Sequence, residues 1–261
     1  MTRARPITWV LGAAFAGCAA IALHALTGVG GEGSRELFSR WTYCAVMNVT
    51  AAAVLWRAIA VPRHRAAWLA IGGGLALRNA GDLYWFVTMA DLAAPPSPSI
   101  CDAAWLASLL PTSLGVWLLL RSRMHGMPAA MWLDGLIASL AVAGAASVFA
   151  FEQLMPGSLA GGPGSLLTYV YPVRDIVLIG LLGAAAALAG ARPGRAWFLL
   201  CGGVALALVA DLVFVVRLRE SLYSEGELLD VCWPLSATLI AAAAWQPSVR
   251  SRPRASRAAP A

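Results

Sequence analysis

Six aspartates and two arginines stand inside apolar stretches of this chain: Asp82, Asp102, Asp134, Asp175, Asp211 and Asp230, with Arg78 and Arg174. Carboxylates and guanidiniums in such surroundings can pair with each other, hold a charged or polar ligand, or exchange protons. A single charge facing mid-membrane lipid costs roughly 2.5–3.5 kcal/mol, so eight would cost on the order of 20 kcal/mol. They are therefore expected to face inward, to pair, or to lie near an interface. Arg78 precedes Asp82 by four residues, which places both on one helical face within pairing reach. Arg174 can serve Asp211 or Asp175 from a neighbouring helix.

Other chemistries find no residues here. The sequence contains no HExxH, GxSxG or P-loop, and no GxGxxG in a strand-helix context. His24, His64 and His125 are isolated, so neither a metal nor a haem is expected, and no cofactor of any kind. The five cysteines form no CxxC. Cys101 and Cys232 each sit beside an aspartate, which leaves a disulfide between them open.

The elements that must carry these charges follow from composition. Hydrophobic residues make up 60% of the 261 residues and charged residues 12%, against roughly 45–50% and about 25% in soluble domains. That excludes a soluble enzyme and points to an all-α polytopic membrane protein. Apolar runs separated by Gly, Pro and Arg clusters predict eight spans, at about 7–27, 38–60, 66–90, 99–120, 129–151, 168–190, 195–219 and 226–246. Together they form one transmembrane domain over 1–246. The Arg-, Pro- and Ala-rich residues 247–261 read as a disordered tail. Arg3 and Arg5 before the first apolar run resemble a signal peptide, but the run continues to Leu26, and a retained span is expected.

Every basic residue is arginine. Thirteen lie in one set of alternate connections and the termini (Arg3, Arg5, Arg57, Arg63, Arg65, Arg121, Arg123, Arg192, Arg195, Arg250, Arg252, Arg254 and Arg257). Four lie in the other set: Arg35, Arg40, Arg217 and Arg219. The asymmetry predicts an inner (plasma) membrane protein with both termini cytoplasmic. Topology accounts for the positive charge, and no nucleic-acid partner is expected. The bilayer is the expected partner, together with a cytoplasmic or membrane signalling protein.

An internal repeat links the charged positions. At an offset of 129 residues, Trp68, Gly73, Gly74, Asp82 and Leu83 fall on Trp197, Gly202, Gly203, Asp211 and Leu212. One residue of slippage then aligns Asp102-Ala103-Ala104-Trp105 with Asp230-Val231-Cys232-Trp233. Two four-helix halves, about 7–120 and 129–246, are expected to share one orientation about an axis along the membrane normal. Gly73 and Gly202 should mark matching close helix contacts. Ala207 stands where the second half would repeat Arg78.

Depth separates the carboxylates. Asp82 and Asp211 each lie about 24 Å from their helix starts at 1.5 Å per residue, in the outer half of the membrane. Asp102 and Asp230 begin the fourth and eighth helices, where a carboxylate also suits the helix N-terminus. Asp134 sits one turn from the cytoplasmic end and reads as structural. Tyr84, Trp85, Trp105, Tyr169, Tyr171, Phe214 and Trp233 belong to the outer half as well. An aromatic belt explains most of them, and a site needs only those that point inward. The candidate ligand-binding set is Asp82, Arg78, Asp102, Tyr171, Arg174, Asp175, Asp211, Asp230, Trp105 and Trp233. Its alternative is a structural salt-bridge network joining the repeats.

Gly81-Asp82-Leu83-Tyr84-Trp85, the segment Pro98 to Trp105, Leu133-Asp134-Gly135-Leu136, Tyr171-Pro172-Val173-Arg174-Asp175, Ala210-Asp211-Leu212 and Leu229-Asp230-Val231-Cys232-Trp233 follow one another in an order that carries a resemblance. Over about residues 65–246 the chain resembles the multi-helix membrane sensor region at the N-terminus of actinobacterial GGDEF/EAL cyclic-di-GMP signalling proteins. The resemblance implies a sensory input module and a signalling partner. No GGDEF or EAL sequence occurs in these 261 residues, so cyclic-nucleotide synthesis or hydrolysis is not carried over. The expectation is a non-enzymatic sensor-like module. A small-solute transporter or transporter subunit is the alternative, and a membrane enzyme using the aspartates as acid and base is a third reading.

Overall fold

The computed structural model of the protein describes residues 5–93, 95, 96, 98–123, 137, 141, 144, 170–180, 182 and 194–246. Apolar runs this long fold as helices because a helix satisfies every backbone N–H and C=O within its own segment. Helix α1 spans Arg5–Thr27. A 3-10 turn (Glu32–Ser34) and a π-helical segment (Leu37–Thr42) lead into α2 (Tyr43–Ala60), followed by α3 (Arg65–Thr88) and α4 (Ile100–Arg123). Residues 170–180 form α5. Helix α6 spans Arg195–Arg219, and a 3-10 turn (Leu228–Val231) opens α7 (Cys232–Ala244). Among the described residues there is no strand, and the fold is all-helical.

Four helical stretches are long and apolar enough to cross a membrane: Pro6–Thr27, Glu32–Ala60, Ile100–Ser122 and Arg195–Leu218. Trp9 and Leu110 on two of them are 80% and 77% exposed, a surface that suits lipid and not water. This is a membrane protein. Helix α3 has the length, at 24 residues, but Arg65, Arg78, Asn79 and Asp82 lower its hydropathy. The apolar helical stretch Leu228–Ala244 is shorter than the four. Most of the expected span 129–151, about half of 168–190, Asp134, Tyr169, His125 and the tail from Pro247 lie outside the described residues.

Helix α3 packs along α4 and α2, α6 packs along α7, and α2 joins the two groups by packing on α7. Close approach is made at Gly74 and Gly203. A Cβ on Gly74 would meet the Ser108 carbonyl at 2.9 Å, and one on Gly203 would meet the Ser236 carbonyl at 3.0 Å and Ile240 Cγ1 at 2.8 Å. Gly73 and Gly202 have open space on that side, so the close contacts expected at them fall on the next residue. One residue turns a helix by about 100°, and the packed face is decided by the whole helix.

At one end of the bundle Arg57 is buried and donates to the carbonyls of Ala244 (2.8 Å), Val61 (2.9 Å) and Arg63 (3.4 Å). Ala244 and Val61 stand at helix ends that leave carbonyls without intrahelical donors, and Arg63 lies in the α2–α3 connection, so this arginine ties α2 to α7. Trp245 Nε1 adds a bond to the Ala53 carbonyl at 2.9 Å. No disulfide joins Cys101 to Cys232.

Candidate functional site

At the other end, where α3 ends and α4 and α7 begin, two tryptophan–aspartate pairs face the bundle interior. Trp105 Nε1 on α4 donates to Asp82 Oδ1 on α3 at 2.8 Å. Trp233 Nε1 on α7 donates to Asp211 Oδ1 on α6 at 2.7 Å. A second ring accompanies each pair: Trp85 lies 6.1 Å from Trp105, and Phe214 lies 5.7 Å from Trp233. These six residues are counterparts under the sequence repeat, Asp82, Trp85 and Trp105 matching Asp211, Phe214 and Trp233.

The two helix starts are built by different means. Asp102 accepts from the Ser99 N–H at 2.6 Å and the Ser99 hydroxyl at 2.9 Å, while its own N–H reaches Ser99 Oγ at 3.4 Å. That reciprocal pattern is a capping box with Ser99 as the cap. Asp230 accepts from the Gly226 N–H at 2.6 Å and the Tyr223 hydroxyl at 2.9 Å. Burial and then the Asp230 charge push the Tyr223 phenol well above its usual range, so it remains a donor at any ordinary pH.

Arg78 is the element the repeat does not duplicate. Its Nε lies 4.0 Å from Asp82 Oδ2, the pairing expected from their spacing. Its guanidinium also stands 5.9 Å from the centroid of the Trp233 ring and within electrostatic range of Asp211 and Tyr43. One cation thus reaches from the first Trp–Asp pair to the second. The second oxygens, Asp82 Oδ2 and Asp211 Oδ2, are buried without a hydrogen bond among the described residues.

Between the pairs lies a cavity of about 480 Å³, within the size range of small-molecule sites. Eight of the ten candidate residues line it: Arg78, Asp82, Asp102, Trp105, Tyr171, Asp211, Asp230 and Trp233. Arg174 and Asp175 do not. They pair with each other at 2.5 Å beside a separate void of about 60 Å³, to which Arg78 and Trp233 also contribute. Of the two partners open to Arg174, it pairs with Asp175, and Asp175 is 1% exposed.

Sequence reasoning missed Tyr43, Tyr223 and Glu225, all of which line the cavity. Tyr43 lies inside an apolar run, and only its position one turn after Arg40 marks it. Glu225 is carried by the α6–α7 connection, where Arg40 Nε pairs with it at 2.8 Å and Arg35 donates to its carbonyl at 2.7 Å. Arg40 also binds Asp91, on the α3–α4 connection, at 2.8 Å. Tyr84 and Leu83, beside Asp82, are exposed, as residues facing lipid would be.

The arrangement can hold a solute by charge and by ring faces, and can change shape through the helices it joins. No family model matches this sequence, no curated protein matches it, and no solved structure matches its fold.

Proposed function

We propose that this chain is a sensor-like signalling module of the plasma membrane that takes up a ligand between its two halves, in the outer half of the bilayer. The observation that carries the reading is the 480 Å³ cavity framed by Asp82–Trp105 and Asp211–Trp233. Polar groups converging on an aromatic-walled cavity inside an apolar helical bundle are the ordinary make-up of a ligand site. The full reading has eight spans in two parallel four-helix repeats, with both termini in the cytoplasm. The arginine asymmetry and the duplicated sequence support it. The resemblance to the sensor region of GGDEF/EAL proteins supports signalling over catalysis.

The mechanism would run through the helices that share the cavity. Each Trp–Asp bond joins the end of one helix to the start of another, α3 to α4 and α6 to α7, and Arg78 joins the two sets. A ligand that engages the second oxygens of Asp82 and Asp211 draws on both halves at once. Movement of α6 and α7 would reach the opposite end, where Arg57 binds the Ala244 carbonyl. A cytoplasmic or membrane partner would read that shift.

A small-solute transporter shares the duplication and the buried charges. Proteoliposomes separate the two. The sensor reading expects a ligand that raises the unfolding temperature of the wild type and not of Asp211→Asn, with no ligand flux. Ligand-dependent counterflow through the reconstituted protein contradicts it.

A further inference from the structure

The charges lining the cavity do not balance. Five carboxylates line it, and with Glu225 paired to Arg40 four remain, Asp82, Asp102, Asp211 and Asp230, against the single guanidinium of Arg78. Asp102 is held by Ser99, and Asp230 by Tyr223 and the Gly226 N–H, all neutral donors. Arg40 is engaged by Glu225 and Asp91, and Arg174 by Asp175. Neither is left to offset the excess. Asp82 and Asp211 are 7% and 6% exposed, and one oxygen of each is buried without a hydrogen bond among the described residues. Arg78 offsets one of these two charges and not both, and a buried anion left over is costly until a further positive charge or donor reaches it.

The walls favour one kind of positive charge. Trp85, Trp105, Phe214 and Trp233 line the same space, and Trp233 already turns toward the Arg78 guanidinium at 5.9 Å. Ring faces attract alkylated cations, most strongly where water is excluded. A hard inorganic cation needs six or more converging oxygens to replace its hydration shell, and among the described residues no three His, Cys, Asp or Glu side chains stand close enough together to hold one. We infer that the ligand of this cavity is an organic cation, an alkylated ammonium on an apolar body, bound by the carboxylates of Asp82 and Asp211 and by the tryptophan faces. The inference rests on the ligand-site reading above and gives it a chemical class.

A set of three benzyl compounds tests it. Benzyltrimethylammonium, benzyl methyl sulfone and phenylmethanesulfonate share a benzyl body and differ in the charge of the head, positive, neutral and negative. Binding is titrated by tryptophan fluorescence on the full chain in lipid nanodiscs, with wild type, Asp211→Asn and Asp82→Asn, each checked for monodisperse elution. Asparagine keeps an oxygen for the indole N–H, so the folded state is retained while the charge goes. The expected result is saturable binding of the ammonium, at least tenfold weaker binding of the sulfone and none of the sulfonate. Either asparagine variant should weaken the ammonium at least tenfold. Sulfone or sulfonate binding as tight as the ammonium, and lost in Trp233→Ala, overturns the cation assignment and leaves the cavity a ligand site. Ammonium binding that is equal in all three proteins overturns the assignment to this cavity. Saturable binding of no probe overturns the ligand-site reading together with the inference.

Discussion

Trp233 donates its indole N–H to Asp211 across 2.7 Å, and the same bond joins Trp105 to Asp82 at 2.8 Å. Asp82 and Trp105 stand 129 and 128 residues before Asp211 and Trp233, so the two bonds join like residues at nearly the same spacing. Each bond joins two helices and gives a buried carboxylate its donor.

Removing the donor while keeping the ring isolates that bond. Trp233→Phe leaves Asp211 without its hydrogen bond, and an unsatisfied buried acceptor costs about 1–3 kcal/mol. Trp105→Phe should lose a similar amount, because Asp82 depends on it in the same way. Thermal unfolding in detergent measures both. Two unchanged melting temperatures would mean that water replaces the indole.

The adjacent glycines behave oppositely. Gly203→Ala drives a Cβ to 2.8 Å from Ile240 and 3.0 Å from the Ser236 carbonyl, an overpacking that costs typically 1–3 kcal/mol. Gly202→Ala meets open space and gains helix propensity worth up to about 1 kcal/mol. The same contrast is expected for Gly74→Ala against Gly73→Ala. Melting temperatures that fall alike for both members of a pair would contradict the helix rotation described above.

The Arg40 clasp has a pH signature. The Arg40 hydrogen bonds hold the Asp91 carboxyl below its ordinary value. A depressed carboxyl adds stability that is present above the unfolded-state pKa of about 3.9, and it is lost as pH falls through the lower folded value. Asp91→Asn should therefore melt below the wild type at neutral pH, and the two curves should converge in the acid range below about pH 4. Curves that stay parallel throughout would show that the charge is irrelevant there.

Topology is open to a direct check. Reporter fusions after Arg250 should be cytoplasmic and fusions between Pro95 and Pro98 exterior, because the arginine-rich connections stay inside. The reverse pattern would invert the site to the cytoplasmic half.

Much of the architecture is written locally in the chain. Apolar runs with Gly and Pro punctuation place helices at 66–90, 99–120 and 195–219, and the structure has Arg65–Thr88, Ile100–Arg123 and Arg195–Arg219. The inward face of Asp82 and Asp211 is equally readable, because their charge leaves few other places for them. What is not readable is rotation and partner choice. Gly73 and Gly74 are neighbours in sequence, and only the packed helix decides which one faces Ser108. The π-helical segment Leu37–Thr42 has no sequence signature either, although it carries Arg40 to both loop carboxylates. Tyr43 and Glu225 were hidden for the same reason, since the connections that bring them to the cavity are non-local.

The central claim is that the buried carboxylates serve a ligand and not the fold, and Asp211→Asn decides it when stability and binding are read on the same sample. The variant keeps an acceptor for Trp233 and removes a buried charge that has no full partner. The account predicts an unfolding temperature equal to or above that of the wild type, with at least tenfold weaker binding of whichever benzyl probe the wild type takes. A melting temperature that falls sharply while binding is unchanged would contradict it and make the cluster a structural network joining the helices.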